Sequence, residues 1–314
     1  MSTAFLFPGQ GSQQVGMGKA LAETYASTRA VFDEVNEALS QDLSKLMWEG
    51  PEDELTLTEN AQPALMAVSL AAMRVLSEEK TVSLEKVASY VAGHSLGEYS
   101  ALAAAGALSV ADAARLLKTR GRAMQEAVPV GEGAMAALLG AELPQAKELA
   151  AAAAEDDVCE VANDNAPGQV VISGAKSAID RAIKLAPDYG ARRAVPLPVS
   201  APFHCSLMGP AADVMQEALA GIEIQAPCVP LVANVLAAPI SDPEEIRKRL
   251  VEQVTGTVRW RESMLFLQEK GVKAVYEIGA GRVLTGIARR FEGIDAKSIG
   301  TPEEVDAVAG ELVA

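Results

Sequence analysis

Histidine is scarce in this chain: His94 and His204 are the two present in 314 residues. Any chemistry that needs an imidazole must use one of them, and a catalytic metal held by three histidines is excluded. The three cysteines, Cys159, Cys205 and Cys228, are odd in number, widely spaced and in no CxxC pair. Neither a disulfide framework nor a zinc site is expected from them, and the compartment they suit is the reducing cytosol, so the protein is placed in the cytoplasm. Cys205 stands beside His204 but has no base of its own, and reads as packing. Positive charge is also short: 27 Lys and Arg face 42 Asp and Glu, a net charge of -15. That balance argues against a general nucleic-acid binder. Residues 1–8 carry no basic n-region, and no later stretch reaches eighteen uninterrupted apolar residues, so neither export nor a membrane span is expected. What is present is 49% hydrophobic residues, rich in Ala, Leu and Val, with 4% aromatics, a composition suited to helices layered on a parallel sheet. The length exceeds a typical single domain and fits one large domain carrying an insertion.

The segment that carries chemistry is Gly93-His94-Ser95-Leu96-Gly97. It follows a strand-like stretch, 87–92, and precedes an alanine-rich helical stretch, 98–105, which is the context of a G-x-S-x-G nucleophile elbow. The flanking glycines permit a strained strand-to-helix turn that lifts the Ser95 hydroxyl clear of the sheet and sets the Leu96 backbone N–H beside it. Serine is a poor nucleophile without a base. His94 adjoins Ser95 directly, and neighbours on a sharp turn point different ways. His204, in Ala201-Pro202-Phe203-His204-Cys205, is the better candidate, because a loop from the far half of an α/β sheet can fold back over the elbow.

The first 130 residues read as strand 4–7, a glycine loop (Pro8-Gly9-Gln10-Gly11-Ser12-Gln13-Gln14), helices 21–25 and 29–39, an apolar helix 63–76, the elbow, and an amphipathic helix 110–125 bearing Arg115, Lys118, Arg120 and Arg122. The glycine loop matches neither G-x-x-x-x-G-K-[ST] nor G-x-G-x-x-G, so a nucleotide site is not expected. From Gly133 the order becomes strand 134–139, helix 143–154, strand 158–162, turn 163–168, strand 169–173, helix 176–186 and strand 192–198. That βαββαβ sequence is a small ferredoxin-like unit. It would be inserted between the elbow half and the His204 half, giving a discontinuous hydrolase-like large domain over 1–128 and 199–314 and a subdomain over 129–198. Beyond it come strand 229–232, helices 243–253 and 261–270, strand 274–278 and helix 283–290, with Gly279-Ala280-Gly281 as a strand-to-helix turn.

Three separated motifs, Phe7-Pro8-Gly9-Gln10-Gly11-Ser12-Gln13, Gly93-His94-Ser95-Leu96-Gly97-Glu98-Tyr99-Ser100-Ala101 and Pro202-Phe203-His204-Cys205, resemble those of the malonyl-CoA:acyl carrier protein transacylases of type II fatty acid synthesis. The stretch 165–174 (Asn165 to Gly174) and Gln253 followed by Val258-Arg259-Trp260 extend the resemblance nearly end to end. It implies that Ser95 attacks the thioester of malonyl-CoA with His204 as base, that the backbone N–H groups of Gln10 and Leu96 hold the developing oxyanion, and that the acyl group passes to the phosphopantetheine thiol of acyl carrier protein. It implies that His204 is oriented by the backbone carbonyl of Gln253 rather than by an acid. Arg120 matches the position that pairs with the malonyl carboxylate. Phe203 and Met124 are expected to shape the acyl pocket, and Asn165 and Gln253 to reach it.

No metal or cofactor is implied; coenzyme A enters as the carrier of the acyl group, and a self-contained two-part chain suits a monomer. Acyl carrier proteins are usually acidic, so against a net charge of -15 a local basic patch must steer the partner. Two readings compete: a serine hydrolase sharing the elbow, including a thioesterase, and a non-catalytic carrier-docking module. An acyltransferase of a polyketide pathway is a further alternative, one that differs from the malonyl transferase in its acceptor.

Overall fold

The computed structural model describes residues 2–199 and 201–313; Met1 and Ala314, at the outer limits of the expected large domain, and Ser200 lie outside them. In chain order the strands among the described residues are β1 (Ser2–Phe7), β2 (Tyr90–Gly93), β3 (Gly133–Leu139), β4 (Cys159–Ala166), β5 (Gln169–Ala175), β6 (Arg193–Pro196), β7 (Leu231–Ala233), β8 (Ala238–Ile240), β9 (Val272–Ile278) and β10 (Asp295–Ile299). Six of them form one sheet in the order β10-β9-β1-β2-β7-β8, parallel except where β8 turns back on β7. The mixed α/β class expected from composition is therefore present.

β1 lies inside this sheet and is buried on both faces, which is why residues 4–7 read as a continuous apolar run. Phe5 and Phe7 point into the larger core with Leu65 and Leu102, while Ala4 and Leu6 point to the opposite side with Trp260 and Leu267. The helix Thr58–Arg74 packs in that larger core and is buried along almost its whole length. It begins five residues before Pro63, where the sequence reading starts it. Burial on all sides outweighs the hydrogen bond that Pro63 cannot donate.

The other four strands make an antiparallel sheet in the order β4-β5-β3-β6. The helices Leu143–Ala154 and Lys176–Leu185 close a separate core with Leu138, Leu149, Ile172 and Ile179. The sequence reading puts a turn over 163–168, but β4 continues to Ala166 and the hairpin turn is Pro167-Gly168 alone. Asn163, Asp164 and Asn165 look like turn residues in isolation; here they are strand residues whose polar groups meet residues outside this sheet. Asp164 pairs with Arg261 at 2.9 Å, Asn165 accepts from His94 at 2.8 Å, and Asn163 bridges to Val258. The backbone joins as well, with Val258 donating to Ala162 and Asp164 donating to Val258, each at 2.9 Å. The expected strand 87–92 is also shifted: 84–87 is a helical turn, and β2 starts at Tyr90. Helices Gly209–Ala220 and Pro302–Val313 and strand β10 have no counterpart in the sequence reading.

The elbow needs glycine for space. A Cβ on Gly93 would lie 1.9 Å from the Gly97 carbonyl carbon, and one on Gly97 would lie 2.2 Å from the Phe7 carbonyl oxygen. β1, β2 and the elbow helix (Gly97–Ala104) touch backbone to backbone there. Gly97→Ala is expected to cost about 3 kcal/mol or more in urea unfolding, because no side chain can yield; a loss under about 1 kcal/mol would show that the backbone gives way instead.

Candidate active site

At the carboxyl ends of β1 and β2, the glycine loop and the elbow face one another, the place where open α/β sheets bind ligands. Ser95 has φ 54°, a left-handed conformation that costs a non-glycine residue about 1–3 kcal/mol. Its own amide is clamped at both ends: the N–H donates to Asn234 Oδ1 at 2.8 Å, and the carbonyl accepts from Gln253 Nε2 at 2.9 Å. Asn234 also donates to the Gly93 carbonyl at 2.7 Å, so it spans the turn. These bonds hold the strained backbone and present Oγ to the cavity.

His204 Nε2 lies 2.8 Å from Ser95 Oγ. On the other side of the ring, Nδ1–H donates to the Gln253 carbonyl at 3.0 Å, with the Gly256 carbonyl at 3.2 Å. Because carbonyls only accept, the proton belongs on Nδ1 and the Nε2 lone pair faces the hydroxyl. The carbonyl that the resemblance assigns to this role is within hydrogen-bond distance, and Gly256 adds one that the sequence did not suggest. Burial, reinforced by Arg120, drives the His204 pKa down from 6.5 to about 3. A lowered imidazole pKa means that the unfolded chain binds a proton near pH 6.5 that the folded chain refuses, so stability is lost as pH falls from there toward the folded value. His204→Asn should therefore show a shallower fall in melting temperature between about pH 7 and about pH 4 than the parent. Identical slopes would show that the ring titrates normally. His94 points away from the hydroxyl: its Nε2 lies 2.8 Å from Asn165 Oδ1, and its ring packs on Trp260.

Arg120, on the helix Val110–Glu126, is 1% exposed. Nη1 donates to Gln62 Oε1 at 2.9 Å, and Nη2 donates to Gln253 Oε1 at 2.8 Å and to Ser95 Oγ at 3.0 Å. The hydrogen-bond partners of this buried cation are all neutral, its Nε has none among the described residues, and burial lowers its pKa. The other cations of the same helix face outward, Arg115 to Asp112 and Lys118 to Glu59. Glu98, in the first turn of the elbow helix, is also buried; burial pushes its carboxyl up, while the donors on Asn234 and Gln253 and the charge of Arg120 favour the ionised form.

Ser95, His204 and Arg120 share the wall of one cavity of about 490 Å³, which Gln10, Leu96, Met124 and Phe203 also line. That size accepts a small acyl group on a thioester arm. Two expected pocket residues are placed differently. Gln253 is buried behind Arg120 and Ser95, and Asn165 is spent on His94; neither lines the cavity. Asn163, two residues away, does so instead; the pairing of β4 with β5 is irregular between Asp164 and Ala166, which breaks the shared face that two strand residues at this spacing would otherwise have. Gln62, Asn163, Asn234 and Glu98 have no role in the sequence reading. Glu98 lies inside the elbow motif and could have drawn notice as an acid in an apolar stretch; Asn234 carries no such signal. The geometry provides a hydroxyl with a fixed base at its oxygen and a buried guanidinium beside it. Such a site suits acyl transfer through an ester on Ser95.

The acyl transferase domain family matches residues 4–303. The chain belongs to this family of enzymes. The malonyl CoA-acyl carrier protein transacylase of Bacillus subtilis (strain 168) is 44% identical over 305 residues, covering 96% of this chain and 95% of that one. A crystal structure of acyl-carrier-protein-S-malonyltransferase from Bartonella henselae is 54% identical, superposes with a TM-score of 0.97 and covers 100% of both chains. A malonyl-transacylase solved in complex with a type II PKS acyl-carrier protein is 42% identical, with a TM-score of 0.95 and coverage of 99% of this chain and 100% of that one. As a member of the acyl transferase family the chain is similar along its whole length to enzymes that carry those names. Among the described residues, no helix is long and apolar enough to cross a membrane.

Proposed function

We propose that this acyl transferase moves a malonyl group from malonyl-CoA to the phosphopantetheine thiol of acyl carrier protein and so supplies malonyl carrier for fatty acid synthesis. Ser95 Oγ attacks the thioester carbonyl while His204 Nε2 takes its proton; the C–S bond then breaks and the coenzyme A thiolate leaves with that proton. The carrier thiol repeats the steps in reverse, with His204 as its base. The N–H groups of Gln10 and Leu96 are read as the oxyanion donors, each worth about 3–4 kcal/mol in the transition state. Every step uses side chains and backbone donors of this chain, and coenzyme A serves as the leaving group. Met124 and Phe203 bound the acyl pocket, while Gln253 and Asn165 act from behind it, through Arg120 and His94.

The observation that carries this reading is the Arg120 guanidinium, buried, with neutral partners, 3.0 Å from the nucleophile. A cation in that position has room for one anionic partner, and the free carboxylate of malonyl is the group that distinguishes it from acetyl. We further read 1–128 and 199–314 as a hydrolase-like catalytic unit and 129–198 as a ferredoxin-like subdomain, supported by the parallel order of one sheet and the β4-β5-β3-β6 order of the other. The cysteine pattern suits a cytosolic setting, the net charge of -15 suits the lack of a nucleic-acid partner, and a self-contained two-part chain suits a monomer.

The test is the intact mass of the protein after brief incubation with malonyl-CoA and then with acyl carrier protein, beside Ser95→Ala. A malonyl adduct that depends on Ser95 and moves to the carrier faster than to water is the expected result. An adduct lost mainly to water would replace the transferase with a hydrolase.

A further inference from the structure

The buried carboxylate of Glu98 contacts neither the cavity nor, in this reaction, any reacting atom, yet it is where the supports of the site converge. Its side chain is 1% exposed on the elbow helix, in a fold where an unpaired buried carboxylate is costly. One oxygen accepts from the backbone N–H of Asn234, and the other accepts from Gln253 Nε2. Asn234 is the residue that holds the Ser95 N–H, and Gln253 is the residue that holds the Ser95 carbonyl. Gln253 also accepts from Arg120 Nη2 through its amide oxygen and from His204 Nδ1 through its backbone carbonyl. One carboxylate thus anchors both jaws of the clamp on the nucleophile and, through a single amide, the orientation of the arginine.

The direction of each bond makes Glu98 more than a packing residue. Both oxygens face donors, so the geometry is that of the ionised carboxylate, held against the upward push of burial by those donors and by Arg120, and an amide of the same shape cannot satisfy it. If the Gln253 amide turned over to suit a donor at position 98, its NH2 would face the Arg120 guanidinium and its oxygen would face the Ser95 carbonyl. Both contacts would be repulsive. The arrangement also answers an electrostatic problem. A buried guanidinium needs compensating charge, but a carboxylate in direct contact would occupy the fork meant for the substrate. With the Gln253 amide between them, Glu98 offsets the charge of Arg120 and leaves its partners neutral.

We propose that Glu98 is a positioning residue that sets the nucleophile through Asn234 and the acyl selectivity through Gln253 and Arg120. The selectivity half rests on the malonyl reading above; the nucleophile half does not.

The experiment therefore has two readouts on the full chain. The first is the rate at which a fluorophosphonate probe labels Ser95, followed by intact mass; the Oγ–P bond forms as fluoride leaves, and no acyl-CoA is involved. The second is the ratio of single-turnover acylation rates with malonyl-CoA and acetyl-CoA. Glu98→Gln should slow labelling by about tenfold to a hundredfold and lower the malonyl-to-acetyl ratio by about tenfold. Glu98→Asp, which keeps two acceptors, should recover part of both. Asn234→Ala should slow labelling while keeping the ratio, and Gln253→Ala should lower the ratio. If Glu98→Gln labels and discriminates like the parent, the proposal fails. It also fails if the Asn234 and Gln253 variants lose rate and ratio alike, in proportion to their melting temperatures, since that marks general loosening. This pair decides the matter even if Glu98→Gln does not fold. A parent that labels at Ser95 but takes no malonyl would sink the malonyl reading and leave the labelling rates to decide Glu98.

Discussion

Arg120→Ala is expected to reduce malonyl acylation of Ser95 by about 10^3- to 10^4-fold while reducing acetyl acylation by less than about tenfold, so that the order of preference reverses. In the parent, a bound acetyl group leaves the buried guanidinium without a carboxylate in a cavity that excludes much of the water able to replace it. A malonyl group supplies two oxygens to a planar fork that is already oriented by Gln62 and Gln253. Removing the arginine takes away the penalty for acetyl together with the gain for malonyl. Arg120→Lys should fall between the two, since an ammonium restores charge but cannot meet both oxygens in the same geometry. The measurement is single-turnover acylation with each acyl-CoA. Equal losses for malonyl and acetyl would mean that Arg120 serves the Ser95 hydroxyl, which it also contacts at 3.0 Å, rather than a carboxylate.

His204→Ala should lower the burst of coenzyme A release by at least about 10^4-fold, close to the effect of Ser95→Ala, because nucleophile and base act as a unit and either loss removes the same step. His94 cannot substitute: its ring packs against Trp260, and its Nε2 is engaged by Asn165. The same geometry predicts which changes spare the base. The orienting acceptors are backbone carbonyls of Gln253 and Gly256, so no single side-chain substitution at Asp or Glu should reproduce the His204 loss. An acid as essential to the burst as His204 would overturn the carbonyl-oriented arrangement. A carbonyl in this role fixes the tautomer without adding a negative charge that would repel an anionic acyl group.

The local parts of the site were legible because their causes are local. A strand entering G-x-S-x-G, followed by a helix, can be recognised from the glycines, and the structure shows why they are glycines: Gly93 and Gly97 have no room for a Cβ. With two histidines in the chain, the partner of Ser95 could be argued by elimination. Arg120 was less accessible. Nothing in the pattern of its helix separates it from Arg115, Lys118 and Arg122, and its selection came from a resemblance. The misread elements share one cause. Residues 163–165 have turn composition but form strand because Arg261, His94 and Val258 satisfy them from elsewhere in the chain. Pro63 sits inside a helix because the helix is buried on every side. An irregularity in the pairing of β4 with β5 between Asp164 and Ala166 sets Asn163, which lines the cavity, apart from Asn165, which does not.

The amino-acid sequence by itself determined the α/β class, the elbow and the candidate nucleophile, since periodicity, glycine sterics and turn chemistry act over a few neighbouring residues. Only the tertiary structure decided what surrounds them: which arginine is buried, that Gln253 serves Ser95, His204 and Arg120 at once, and that Glu98 and Asn234 belong to the site. Those contacts join residues 49 to 158 positions apart. Burial and hydrogen-bond satisfaction are properties of what packs around a residue, and no local pattern of side chains contains them.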